Sequence, residues 1–381
     1  MSEKRKRFDL NSPEAKAQRD AIVHGSFLSE GTMVAFPTCF PGTTVPLAAD
    51  ESRITAVGLA ADGMVYAGTS GRRCHLLVGM FHCVTGMVMD LGVVDGADGC
   101  VAVGCGKTRY AACVNGSGGG RVIVSDRQPM PSQLIQEWGF TRPALKDLGC
   151  PAPGERIIHA VMDASASLLV GATERHVFIA DLDAGRLEVV GQVQHGSRLC
   201  LGSGSGIFGL DEGGWLWRLD PVKRLLQRQV VKLPSADCGP GLRWAQGAPA
   251  LPFGAASSVP SHLADQAGRI FVFRENGGFS ECLGQAPLTP VGPMAATLDG
   301  RVFGFCGEGM ARMFCLDPAA DDRVRDLGVA VSVIQRRRYG YSFGDAVTGR
   351  DGQLFLGEDD DLGHLWMYFP KIGPTSTGSK R

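Results

Sequence analysis

A strand-rich unit of roughly 45 residues recurs along most of this chain, and that recurrence constrains the fold more than any other feature. Each unit reads as strand, Asp-Gly turn, strand, Gly-plus-polar turn, then two further strands. The clearest copies, at 54–81, 293–318 and 344–370, align on Asp62-Gly63, Asp299-Gly300 and Asp351-Gly352. Weaker copies occupy 159–183, 199–221 and 261–284, and a seventh lies at 101–126. The tripeptide Asp-Leu-Gly closes three units, at 90–92, 147–149 and 326–328. With 53 Gly and 21 Pro among 381 residues, the chain is punctuated too often for a helical bundle.

Seven units of this size predict an all-β chain folded as a single seven-bladed β-propeller of four-stranded blades. The pattern resembles the β-propeller superfamily, including its quinoprotein-like, NHL-like and kelch-like groups and the propeller-fold polysaccharide lyases. The Trp-Asp dipeptide of WD40 repeats is missing, and Gly-His occurs once, at 363–364, without recurring from unit to unit. Residues 1–25 read as a basic tail and a short helix, with Ser12 as N-cap and Pro13 in the first turn. Residues 26–372 read as the propeller and 373–381 as a disordered tail. The last unit has no fourth strand of its own, whereas GTMVAFPTCF near the N-terminus is strand-like. An N-terminal strand closing the ring would remove the edge that an incomplete blade leaves.

Charge and hydropathy narrow the partners. Lys+Arg number 38 against 39 Asp+Glu, a net charge of −1, which supplies no global field for nucleic acid or an anionic membrane. No run approaches the roughly 18 apolar residues of a membrane helix, and the N-terminus lacks the apolar core of a secretory signal. Twelve cysteines without a CxxC pair suit reduced core thiols, so a cytoplasmic location is expected.

Several apparent motifs fail on context. Gly204 to Gly209 matches GxGxxG but is followed by a turn sequence, not the helix that a dinucleotide site needs. Gly106-Lys107-Thr108 lacks the earlier glycine of a phosphate loop, because Val101 stands there. Cys74, His75, His82 and Cys83 flank one strand, and nine extended residues span about 30 Å, too far for the two thiols to share one ion. Glu358 to Asp361 lacks the spacing of a calcium loop and reads as a solvated hairpin tip.

Placing the units in register gathers a different set. First strands line the channel of a propeller, so His159, His262 and Asp345 are expected to converge at one mouth. Crossovers into first strands add Glu155, Arg156, His195, Arg198, Arg243, Trp244 and the run Arg336 to Tyr341. Second-to-third-strand hairpins on the same face bring Glu174, Glu212, Glu275, Glu308 and Glu358, with Arg73, Arg121 and Arg175.

Three readings follow. In the first, the face binds a small anionic molecule or a saccharide, with carbohydrate lyase or hydrolase chemistry. Arg156, Arg198, Arg243 and Arg338 would grip an anion, Trp244 and Tyr339 would stack on a sugar ring, and His159 or Tyr341 would remove a proton. The resemblance to propeller-fold lyases makes elimination chemistry an expectation at the level of fold. In the second, the same face is a non-catalytic platform that docks a protein partner. In the third, His159, His262 and Asp345 bind a divalent metal as cofactor; a quinone cofactor has no ligand set in the residues.

Overall fold

The computed structural model describes residues 12, 13, 16, 31–41, 43–82, 85–128, 143–202, 204–239, 241–246, 260–320, 323–333 and 338–371. The N-terminal helix expected near residue 12 and the C-terminal tail lie almost wholly outside the described residues. Among those described, no helix is long and apolar enough to cross a membrane.

The described strands pair antiparallel into seven four-stranded groups, of which the last, the first and the second are joined by further pairing into one larger sheet. Their first strands are Arg53–Leu59, Ala97–Cys105, Ile157–Met162, Cys200–Leu201, Arg243–Ala245, Val291–Ala296 and Phe343–Thr348. We number the groups blades 1 to 7 in that order. Seven apolar clusters fill the spaces between them. Each cluster draws residues from two successive blades, and one, containing Ile54, Val57, Phe355 and Leu365, joins blade 7 back to blade 1. The core is therefore a ring of interfaces, as the repeat demands, and the architecture is a β-propeller. Large side chains such as Trp217, fully buried between blades 3 and 4, carry each interface. Such a residue contributes about 1.5–3 kcal/mol relative to leaving it in water.

Closure follows the sequence expectation. Gly31–Cys39 pairs antiparallel with His364–Pro370, from Gly31 opposite Pro370 to Pro37 opposite His364, and so supplies the fourth strand of blade 7. Met33 faces the cluster shared with blade 6, and Val34 the cluster shared with blade 1.

The repeated peptides have local causes. At Asp62-Gly63, Gly63 N–H donates to Ala60 O over 2.9 Å while Ala60 N–H donates to Met64 O over 2.8 Å. Gly63, at φ +91°, occupies the left-handed position that closes such a hairpin without Cβ strain. Gly300 and Gly352 repeat the arrangement at φ +85° and +82°. Asp-Leu-Gly marks a bulge in the fourth strand. The aspartate accepts the N–H of the glycine two residues on, at 3.0 Å for Asp90, 2.7 Å for Asp147 and 2.9 Å for Asp326. The pairing register slips at each, leaving Leu91, Leu148 and Leu327 as the extra residues.

Candidate functional site

Strand direction alternates within a blade, so the starts of first strands share a face with the hairpins between second and third strands. On that face a cavity of about 1180 Å³ opens over the ring centre. Arg53, Arg198 and Arg243 line it from the entries to blades 1, 4 and 5. Glu308 and Asp359 to Asp361 line it from the second hairpins of blades 6 and 7, and Tyr341 from the entry to blade 7.

Arg198 and Arg243 set the field. Among the described residues no carboxylate comes within ion-pair distance of either guanidinium. Burial, reinforced by the like charge of Arg198, brings Arg243 down to about 10, with only a partial pull upward from Asp345. The Asp345 carboxylate is already engaged. Its Oδ2 accepts Val57 N–H at 2.8 Å and its Oδ1 accepts Ala346 N–H at 2.9 Å. Burial pushes the Asp345 carboxyl up, against the pull of Arg198 and those two donors.

His159 is half-buried on the first strand of blade 3, outside the cavity lining, and its Nδ1 accepts Leu199 N–H at 3.1 Å. Burial, then the charges of Arg198 and Arg243, hold its imidazole well below the usual range. The ring is thus neutral with its hydrogen on Nε2, which donates and has no lone pair to take a proton. Two-dimensional ¹H–¹⁵N spectra at pH 6 are expected to show the neutral Nε2–H tautomer for His159. An imidazolium pattern at that pH would contradict the geometry.

Several expected members lie elsewhere. His262 is on the second strand of blade 5, Ser261–Ala264, with 1 % of its surface exposed. Arg243–Ala245 is the first strand of that blade, and the insertion enters after it, not before. The Asp265 to Gly268 turn, which resembles a first hairpin, is therefore the second. Burial takes the His262 imidazole down to about 4, so it sits neutral in the blade. His159, His262 and Asp345 do not assemble a metal site; among the described residues no group of three or more His, Cys, Asp or Glu is placed to hold an ion.

Trp244 offers no sugar platform, because it is buried between blades 4 and 5, its ring 5.5 Å from Phe273 and 6.2 Å from Phe279. Arg156 is exposed and lies 3.6 Å from Asp98, away from the cavity lining. Arg338 donates to Glu358 Oε2 and Leu362 O, both at 3.0 Å, and so ties the entry of blade 7 to its hairpin. Tyr339 is exposed at the rim and stacks on Tyr341 at 6.4 Å. Glu275 sits on the opposite face, in the third-to-fourth-strand hairpin of blade 5. There it accepts Gly204 N–H at 2.6 Å and pairs with Arg218, and a Cβ on Gly204 would come 2.8 Å from its Oε2. Gly206 faces the same carboxylate, and Gly209 packs against the Trp217 ring, so the glycines of the apparent dinucleotide motif are packing positions. Arg336 and Arg337 lie outside the described residues.

Sequence reasoning passed over a set of buried charge locks on the same face. In blade 1, Glu51 accepts two hydrogen bonds from Arg73, both at 2.8 Å, and lies 3.1 Å from His75 Nε2, while His75 Nδ1 lies 3.0 Å from Asp90. Blade 3 repeats this with Glu155, Thr173, Arg175 and His176. Blade 7 uses Glu358, Arg338 and His364. In blades 1 and 3 the lock fastens a crossover to the second hairpin, and so holds the rim of the cavity.

No protein-family profile matches the chain, and no curated protein matches it in sequence. Solved structures do. A streptogramin B lyase is similar over 90 % of this chain and 99 % of its own, with a TM-score of 0.62 at 10 % identity. A catalytically inactive variant of virginiamycin B lyase from Staphylococcus aureus with quinupristin gives a TM-score of 0.59 at 9 % identity, over 90 % of this chain and 100 % of that one. The likeness is one of fold. At such identities it carries no residue roles across.

Proposed function

We propose that this seven-bladed propeller binds a small anionic molecule in its central cavity, with Arg198 and Arg243 as the anion-holding pair. The observation that carries the reading is the pair itself: two cavity-lining guanidiniums without an ion-pair partner among the described residues. Carboxylate and phosphate suit this fork geometry. A concave opening of this volume favours a small ligand over a docked protein, which would call for a broad apolar patch. Trp244, in the core, is removed as a sugar platform, which leaves only the stacked Tyr339 and Tyr341 for that role. Among the described residues eleven cysteines form no disulfide, which suits a reducing, cytoplasmic setting.

Elimination chemistry is a second reading, favoured by Tyr341 on the cavity wall and by the lyase names of the similar structures. Arg198 and Arg243 would neutralise a carboxylate, the phenolate of Tyr341 would take the adjacent proton, and the electron pair so released would form the double bond as the β-substituent leaves, a base role that His159 cannot fill.

Thermal unfolding in rising phosphate tests the binding reading. At about 100 times its dissociation constant a ligand adds roughly 2.7 kcal/mol, and that gain is expected in wild type and absent from the Arg198→Met/Arg243→Met double variant. Equal responses from the two proteins would remove the arginines from the site, and partner capture on this face would become the next experiment.

A further inference from the structure

We infer that the cavity is built for a zwitterion, a ligand whose anion lies against Arg198 and Arg243 and whose ammonium group lies against the acids of blades 6 and 7. The inference rests on the anion reading above and adds the other end of the ligand.

The argument begins from how charge is distributed around one opening. Arg198 and Arg243 enter from blades 4 and 5, whereas Glu308, Asp359, Asp360 and Asp361 come from the second hairpins of blades 6 and 7. Arg53 approaches Asp359 at 3.8 Å and answers that one charge. Among the described residues no basic group comes within ion-pair distance of Glu308, Asp360 or Asp361. One cavity therefore holds a positive arc and a negative arc that do not neutralise each other.

A simple anion would satisfy the first arc and meet repulsion from the second; a simple cation would do the reverse. A ligand with both charges gains at each end. The strain at both ends is visible in the groups themselves. Burial and Arg198 hold Arg243 down at about 10, while burial, followed by the charges of Glu358 and Asp361, pushes the Asp360 carboxyl up. Opposite charge from the ligand relieves both. The acids are spread over two hairpins and converge on no single point, which suits an ammonium group with its several donors. A volume of about 1180 Å³ exceeds that of a pocket for a single amino acid and admits a short chain between the two charges.

The probes are tetra-alanine with free termini, its N-acetyl form and its C-terminal amide, titrated calorimetrically at low salt. The proteins are wild type, Arg243→Met and the triple variant Glu308→Gln/Asp360→Asn/Asp361→Asn, each checked for an unchanged circular dichroism spectrum. Tetra-alanine is expected to bind wild type about tenfold more tightly than either blocked form, since a charged hydrogen-bonded end is worth that much. The free peptide should fall to the level of the amide on Arg243→Met, and to the level of the acetylated form on the triple variant. If the acetylated and free peptides bind equally and the triple variant changes nothing, the zwitterion is overturned and the anion reading stands. If the amide and free peptides bind equally and Arg243→Met changes nothing, the anion reading falls and takes the zwitterion with it. No saturable binding of any probe to wild type at millimolar concentration overturns the zwitterion, and the anion reading then stands or falls on the phosphate experiment.

Discussion

Replacing Val34 with Asp is expected to destabilise the protein by about 3–5 kcal/mol, the cost of leaving an unpaired charge in a core, and so to move its urea midpoint well below that of wild type. Val34 is 1 % exposed, in the strand that closes the ring, and packs in the cluster shared by blades 7 and 1. Fourth strands such as Arg186–Gln192 and Leu225–Lys232 are largely exposed, whereas the closing strand is buried from Met33 to Phe36. It joins the two ends of the chain, so its loss opens the ring instead of fraying an edge. Thr32, exposed on the same strand, provides the control: Thr32→Asp should change stability by no more than about 0.5 kcal/mol. Urea unfolding of the three proteins reads the difference. Equal midpoints for wild type and Val34→Asp would mean that the strand does not close the ring in solution.

The second large effect belongs to Glu51. It is 1 % exposed and holds Arg73 and His75, so Glu51→Gln breaks a buried pair and should cost about 3–5 kcal/mol. The hydrogen bonds from Arg73, then His75, with the charge of Arg72, bring the Glu51 carboxyl down to about 2 against the opposition of burial. For Glu155 burial again opposes, and Thr173, His176 and the Arg175 backbone bring it to about 2. A carboxyl lowered on folding stabilises the native state above its unfolded value of 4.5, and that contribution is lost as pH falls from 4.5 toward 2. Wild type should therefore lose stability over that window. Glu51→Gln should start lower and fall less steeply, because its own share is already gone and those of Glu155, Asp220 and Asp299 remain. A variant with the wild-type slope would place the acid sensitivity elsewhere.

What the sequence disclosed was local and periodic. The blade repeat, the Asp-Gly hairpins and the unpaired last unit each leave a signature within a few residues, and closure by residues 31–39 followed from a strand missing at one end and present at the other. Residue placement failed where two different turns share one signature. Asp265 to Gly268 imitates a first hairpin, so His262 was expected one strand nearer the axis than it lies, and the insertion after Ala245 concealed the short true first strand. Side-chain direction was equally hidden. Arg243 and Trp244 are adjacent on one strand, and alternation sends the arginine to the cavity and the indole to the interface. The Glu51–His75 lock spans 24 residues and needs the fold to bring its members together. The acids after Glu358 read as a solvated tip because nothing local shows that their hairpin faces a cavity.

The most direct test of the central claim, that the ring centre is the ligand site, is a crystal structure of the protein grown with tetra-alanine. The account predicts density for the peptide within the cavity, its carboxylate within hydrogen-bond distance of Arg198 and Arg243 and its amino group against Glu308, Asp360 or Asp361. Peptide bound on the outer strands or the opposite face, with the two arginines untouched, would contradict it.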